Sequence, residues 1–194
     1  MTPGRAPSAQ GGPVVIVLAA GQGQRFRDLG GTTDKLEALL NGVPVRQHVL
    51  ASVCASGLPW HVVERSHVAH SAHPGMGTSI ACGVAATPEA AGWLVLPADL
   101  PLIQPATLCA VAEALRRHTV VVPRYQGQGG HPVGFGAQCR EALLALQGDA
   151  GARSVVQRWG GFDVGVNDPG CVWDVDTPQA LAWAQKCLDE GGAD

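Results

Sequence analysis

Gly21, Gly23, Arg25 and Lys35 are spaced as a phosphate-binding turn flanked by two cations. The glycines leave no side chain in the way of a ligand, and backbone N–H groups in such a turn can cradle an anion. Arg25 adds a planar donor fork and Lys35 a second positive charge, which suits a polyphosphate. Each cation is equally compatible with a solvated surface position. The turn begins as G-x-G but lacks the third glycine of a dinucleotide fingerprint, and G-x-x-x-x-G-K-[ST] is absent. The expectation is therefore a nucleoside triphosphate site rather than a dinucleotide site or a P-loop.

A second group of residues has metal chemistry. Asp99 follows the apolar run Trp93–Pro97. A carboxylate at the end of a buried strand must be solvated, paired or metal-bound. Mg²⁺ takes one or two carboxylates and leaves its other positions for water and phosphate oxygens; a cap or turn role is the alternative. Asp174 and Asp176 lie two apart, so in extended chain they share a face. Either can supply a second ligand, although Asp176 before Thr177-Pro178 also suits a helix N-terminus. His131, after Gly129-Gly130, can place an imidazole in the same crevice or sit in an ordinary loop. His61, His67, His70 and His73 have no familiar zinc spacing and no neighbouring cysteine, so a solvated loop is expected there.

The elements that must position these groups follow from periodicity. Val14–Leu18 reads as a buried strand ending at the glycine turn. Arg27–Asp34 reads as a polar, mobile loop. Asn41-Gly42 is a turn, and Pro44 opens a helix that runs to about Ser56. His61–Glu64 is a short strand, followed by a polar, histidine-rich stretch to Met76. Thr78 or Ser79 is a candidate cap for a helix over Ile80–Ala86. Trp93–Pro97, Thr119–Val122, His131–Phe135, Phe162–Val166 and Cys171–Asp174 are expected strands. Gln126–Gly130 is expected to be a flexible loop, and helices are expected over Pro105–His118, Ala137–Leu146, Ala152–Trp159 and Pro178–Leu188. Alternating strands and helices predict an α/β fold: one domain, a three-layer α/β/α sandwich around a mainly parallel sheet. Ligands of such sheets bind beyond the carboxyl ends of the strands, where both Gly21 and Asp99 fall.

Composition narrows the function classes. At 194 residues, 46% hydrophobic and 15% charged, the chain is long and apolar enough for one sizeable core. A formal net charge of −3 without a basic stripe argues against nucleic acid. No apolar run reaches the ~18–20 residues of a membrane span, and no signal peptide is read at the start. Residues 1–12 are expected to be a loose tail and 13–194 the domain. The cysteines (54, 82, 109, 139, 171 and 187) are scattered, which favours free thiols and a cytoplasmic location.

With these residues in place, the chain resembles the MobA-like nucleotidyltransferases, and among them the molybdenum cofactor cytidylyltransferases. The matching pieces are Leu18-Ala19-Ala20-Gly21-x-Gly23-x-Arg25-Phe26, Lys35-Leu36, Gly75–Ile80, Asp99-Leu100-Pro101, Gly130–Val133 and Asp174–Pro178, in family order. The resemblance implies a Rossmann-like fold and transfer of a nucleoside monophosphate to a phosphorylated acceptor. It implies that Leu18, Ala19, Ala20, Gly21, Gly23 and Ser79 hold the nucleotide. Arg25 and Lys35 would neutralise it, Asp99 and Asp176 would hold Mg²⁺ or Mn²⁺, and His131 would line the acceptor side. Ala20 makes the motif look more like the cytidylyl branch, so CTP and a molybdopterin-type acceptor are the implied substrates. Alternatives are another NTP, such as GTP with molybdopterin, a sugar or polyol phosphate acceptor, or a non-catalytic carrier serving an apo-molybdoenzyme. Two places depart from the pattern: the loop between Arg25 and Lys35 is long, and the segment 61–76 is short for a helix plus a strand.

Overall fold

A computed structural model describes residues 11–191. The expected tail lies outside the described residues up to position 10; Gly12 belongs to the fold, its carbonyl accepting from the Ala91 N–H. In chain order the elements are β1 (Val14–Ala19), α1 (Gln24–Asp28), β2 (Leu39–Leu40), β3 (Val43–Pro44), α2 (Val45–Ala55), β4 (Trp60–Glu64), α3 (Arg65–Val68), α4 (Met76–Ala86) and β5 (Gly92–Pro97). They continue with α5 (Pro105–Ala114), β6 (Val120–Tyr125), β7 (Gln128–Gly129), β8 (Val133–Gly136), α6 (Arg140–Leu144), α7 (Arg153–Trp159), β9 (Phe162–Gly165) and α8 (Pro178–Gly191).

Seven strands form one sheet in the order β4-β1-β5-β8-β6-β7, with β9 also on β6. β4, β1, β5, β6 and β9 point the same way; β7 and β8 run against them. The mainly parallel Rossmann-like sheet is therefore present, and its apolar strands are covered on both faces. Val15 and Val17 pack with Val49 and Val53 of α2 and with Leu108 and Val111 of α5. Ile16, from the opposite face of β1, packs with Ile80 and Val84 of α4 and Leu143 of α6. These side chains are fully or almost fully buried, each contributing about 1.5–3 kcal/mol. Gly83 brings α4 close to the sheet: a Cβ there would lie 2.4 Å from Ile16 Cγ2. A third cluster of Phe26, Ala38, Leu40, Val45, Val175 and Ala184 packs α1, the β2–β3 hairpin, the start of α2 and α8 against one another.

Several local expectations change. α4 starts at Met76, so Thr78 and Ser79 lie inside it; the Thr78 hydroxyl donates to the His73 carbonyl and that of Ser79 to Gly75, 2.9 Å away. Arg27 and Asp28 belong to α1, and Arg65 starts a one-turn helix in the stretch read as loop. β6 runs through Pro123 to Tyr125, and α5 stops at Ala114. The expected loop 126–130 is a hairpin: Gln126 and Gly127 take positive φ, and Gln128 and Gly129 return as β7. The helix expected over 137–146 is a 3₁₀ turn followed by α6. Cys171–Asp174 is no strand, since a 3₁₀ turn occupies Pro169–Cys171. All six cysteines are free thiols, and among the described residues no helix is long and apolar enough to cross a membrane.

Candidate active site

A cleft of about 570 Å³ opens at the carboxyl ends of β1 and β5, lined by the glycine turn, Lys35, the start of α4, Asp99 and Asp176. The glycine turn is its floor. Gly23 adopts φ 62°, a left-handed conformation, and caps α1. A Cβ at Gly23 would also stand 3.3 Å from Lys35 Cγ. Gly23→Ala is therefore expected to lower the unfolding free energy by about 1–2 kcal/mol, read in denaturant unfolding.

Lys35 lies at the centre. Asp34 starts a turn in which its carbonyl accepts from the Glu37 and Ala38 N–H groups, and its Oδ1 accepts from the Leu36 N–H at 3.0 Å. This aims the Lys35 Nζ at Asp99 Oδ2, 2.5 Å away, and at Asp176 Oδ1, 2.6 Å away. Burial works against the ammonium, but Asp99 and Asp176 outweigh it and hold Lys35 above the usual lysine range. Arg25, largely exposed, reaches Asp176 Oδ2 at 3.4 Å.

The carboxylates are brought together by the backbone. The Val175 N–H donates to the Asp99 carbonyl at 2.8 Å, which lays 174–176 along the end of β5. Trp173 stacks on Trp183 of α8, ring centroids 3.7 Å apart, and anchors the same segment from outside. Upstream, the buried Asp168 accepts from the Gln104 N–H at 2.9 Å, the Thr107 hydroxyl at 2.7 Å and the Gly170 N–H at 2.9 Å. That fastens the preceding turn to the start of α5.

One ligand oxygen from each of Asp99, Asp174 and Asp176 lies within 4.8 Å of the others. Burial, then Asp176 and Asp99, push the Asp174 carboxyl above its ordinary range. Among the described residues, Asp99 Oδ1 is buried without a hydrogen-bond partner. An orphaned carboxylate oxygen beside two further carboxylates is an all-oxygen donor set, and it fits a hard divalent cation. Fixed N–H groups, two cations and three carboxylates can together bind a metal–polyphosphate.

A family model for the MobA-like NTP transferase domain matches residues 15–162. The chain belongs to that family. The bifunctional protein GlmU of Halorhodospira halophila is 34% identical over 120 residues, which are 54% of this chain and 24% of that protein. The match thus spans about a quarter of the length of that curated relative. Rv0371c of Mycobacterium tuberculosis is 23% identical with a TM-score of 0.72, covering 90% of this chain and 98% of that one. The same mycobacterial protein, as a manganese complex, superposes with a TM-score of 0.68 at 22% identity, over 90% of this chain and 98% of that one. Molybdopterin-guanine dinucleotide biosynthesis protein A of Archaeoglobus fulgidus is 16% identical with a TM-score of 0.64, covering 91% of this chain and 99% of that one. At these identities the structural likeness is one of fold.

Leu18, Ala20, Gly21, Gly23, Arg25, Lys35, Ser79 and Asp99, within the matched MobA-like domain, and Asp176, beyond it, all line this cleft. Ala19 does not. It points to the opposite face of the sheet, into a smaller cavity of about 190 Å³ with Asp34, Arg46, Glu64 and Arg65, as strand alternation requires. His131 is also absent from the cleft lining. Its N–H donates to the Cys171 carbonyl at 2.8 Å, and its Nδ1 is buried without a partner. Burial lowers the imidazole below its ordinary range, against the pull of Asp99 and Asp174.

Three residues of this MobA-like site carry no motif in the sequence reading. Asp149 lines the cleft because the Gly77 N–H donates to the Gly148 carbonyl at 2.8 Å, docking the loop after α6 on the start of α4. Nothing local marks it. Asp168 reads as one more loop acid. Arg65, by contrast, follows β4 directly, and β4 lies beside β1, so the carboxyl-end rule points to it.

Proposed function

We propose that this protein transfers CMP from CTP to a molybdopterin-type cofactor, releasing pyrophosphate, with Mg²⁺ or Mn²⁺ held by Asp99 and Asp176 and with Asp174 beside them. The observation that carries the reading is the carboxylate cluster, with Asp99 Oδ1 buried and unpartnered, at the mouth of the glycine-turn cleft. A bound divalent cation there supplies charge neutralisation and Lewis acidity to phosphoryl oxygens. The glycine turn offers N–H donors to the triphosphate, and Arg25 and Lys35 offset its charge. The acceptor phosphate is already an anion, so no side chain need remove a proton from it. Its oxygen bonds to the α-phosphorus in line as the α–β bridging bond breaks and pyrophosphate leaves. Catalysis by this chain is positioning and charge.

The choice of base is read at Asp149. Gly75 and Asp149 are adjacent in the cleft, a Cβ at Gly75 lying 2.6 Å from the Asp149 N. A carboxylate accepts from the amino group of cytosine and repels the O4 of uracil. Asp149→Asn, whose amide can donate to O4, is expected to lower the CTP-to-UTP ratio of kcat/KM about tenfold or more. The function itself is tested by pyrophosphate release from CTP, GTP, ATP and UTP, with and without molybdopterin or a polyol phosphate. Release with CTP and molybdopterin is expected. Release with GTP alone reassigns the base, release with the polyol phosphate alone reassigns the acceptor, and pterin binding without release with any NTP makes the protein a carrier.

A further inference from the structure

Arg65 makes three contacts that no step above uses. Its Nε and one terminal nitrogen both donate to the Gly21 carbonyl, at 3.2 and 2.6 Å. The same terminal nitrogen pairs with Asp34 Oδ2. Asp34 is the residue whose turn aims Lys35. Arg65 lines the smaller cavity, on the Ala19 face of the sheet, and is absent from the lining of the main cleft on the Leu18 and Ala20 face. The Gly21 carbonyl is therefore pulled toward the far face.

In a planar trans peptide the C=O and the following N–H point in opposite directions. With the Gly21 oxygen held by Arg65, the N–H of Gln22, which lines the main cleft, faces that cleft. Gly21 itself does not enforce this. Gly21 has no side chain, and no atom lies within 4 Å of where a Cβ would stand. A glycine in open space adopts the ψ of the reversed peptide readily, which leaves the φ of Gln22 and the Arg65 hydrogen bonds to resist the reversal. Reversed, the same peptide would present a carbonyl oxygen where a phosphate oxygen must sit.

We propose that Arg65 is a positioning residue: its guanidinium locks the Gly21–Gln22 peptide with the N–H facing the cleft and ties that peptide to the turn that carries Lys35. It deepens the triphosphate reading of the cleft and rests on it. One hydrogen bond from an N–H to a charged oxygen corresponds to roughly a tenfold to hundredfold change in affinity.

The test uses the full-length protein with Mg²⁺, titrated calorimetrically with CTP and with inorganic tripolyphosphate, and the ¹⁵N-labelled Gln22 amide followed during the second titration. Arg65→Met is expected to bind both probes about tenfold or more weakly and to lose the Gln22 amide shift. Arg65→Lys, which keeps a donor without the fork, is expected to fall between the two and to recover the shift in part. Arg65→Lys also serves should Arg65→Met fail to fold. Wild-type affinity in Arg65→Met, or in Arg65→Lys where only that variant folds, together with an unchanged Gln22 shift, overturns the proposal while leaving the triphosphate site intact. A wild-type protein that binds neither probe overturns the triphosphate reading, and this inference with it.

Discussion

Asp99→Ala is expected to abolish metal-dependent pyrophosphate release, lowering kcat/KM by about a thousandfold or more, equivalent to roughly 4 kcal/mol of transition-state stabilisation. Asp99 leaves the end of β5 with one carboxylate oxygen on Lys35 and the other buried with no partner. Alanine removes the donor that the cluster is built around and leaves Lys35 with Asp176 alone. The carbonyl that accepts from the Val175 N–H belongs to the backbone, so the substitution leaves the 174–176 segment in place. Steady-state pyrophosphate release and Mn²⁺ titration by electron paramagnetic resonance check it together. Loss of turnover with loss of the Mn²⁺ signal change is the expected pair. Wild-type turnover in Asp99→Ala would remove Asp99 from the metal site.

Lys35→Met is expected to act in two directions at once. Turnover falls by about a hundredfold or more, because a cation is lost from the triphosphate wall. Mn²⁺ affinity without nucleotide rises, because the ammonium no longer occupies oxygens of Asp99 and Asp176 at 2.5 and 2.6 Å. Both partners at the Lys35–Asp99 contact are mostly buried, with side-chain exposures of 13% and 15%. Removing one member of such a pair costs about 3 kcal/mol of stability, since it leaves an uncompensated charge. Thermal unfolding with and without Mn²⁺ reads both effects: the variant melts lower without metal and gains more from it than the wild type does. A lower melting point with no larger Mn²⁺ gain would mean that lysine and metal use different oxygens.

How much of this was legible in the sequence depends on the distance between cause and effect along the chain. The Val14–Ala19 strand, the Gly21–Gly23 turn and the Trp93–Pro97 strand are local patterns, and they place Gly21 and Asp99 at one crevice. The alternation that sends Leu18 and Ala20 into the cleft also sends Ala19 out of it; the motif, taken as a block, hid that. Thr78 and Ser79 have the composition of caps, but they lie inside α4 and their hydroxyls turn back onto the carbonyls of His73 and Gly75. His131 sits within a motif, yet it is absent from the cleft lining, its imidazole buried within reach of the charges of Asp99 and Asp174. Asp149 and Asp168 are placed by hydrogen bonds, those of Gly148 and of Asp168 itself, to segments more than sixty positions away, which no window on the chain contains.

The central claim is that the cleft joins a nucleoside monophosphate to a phosphorylated acceptor. The most direct measurement follows the α-phosphate: CTP labelled at that position, molybdopterin and Mg²⁺, with product and pyrophosphate counted in one reaction. The account predicts label in the pterin conjugate, one pyrophosphate for each label transferred, and neither without acceptor. Label appearing only as free CMP, or no transfer from any nucleoside triphosphate to any phosphorylated acceptor supplied, would contradict it.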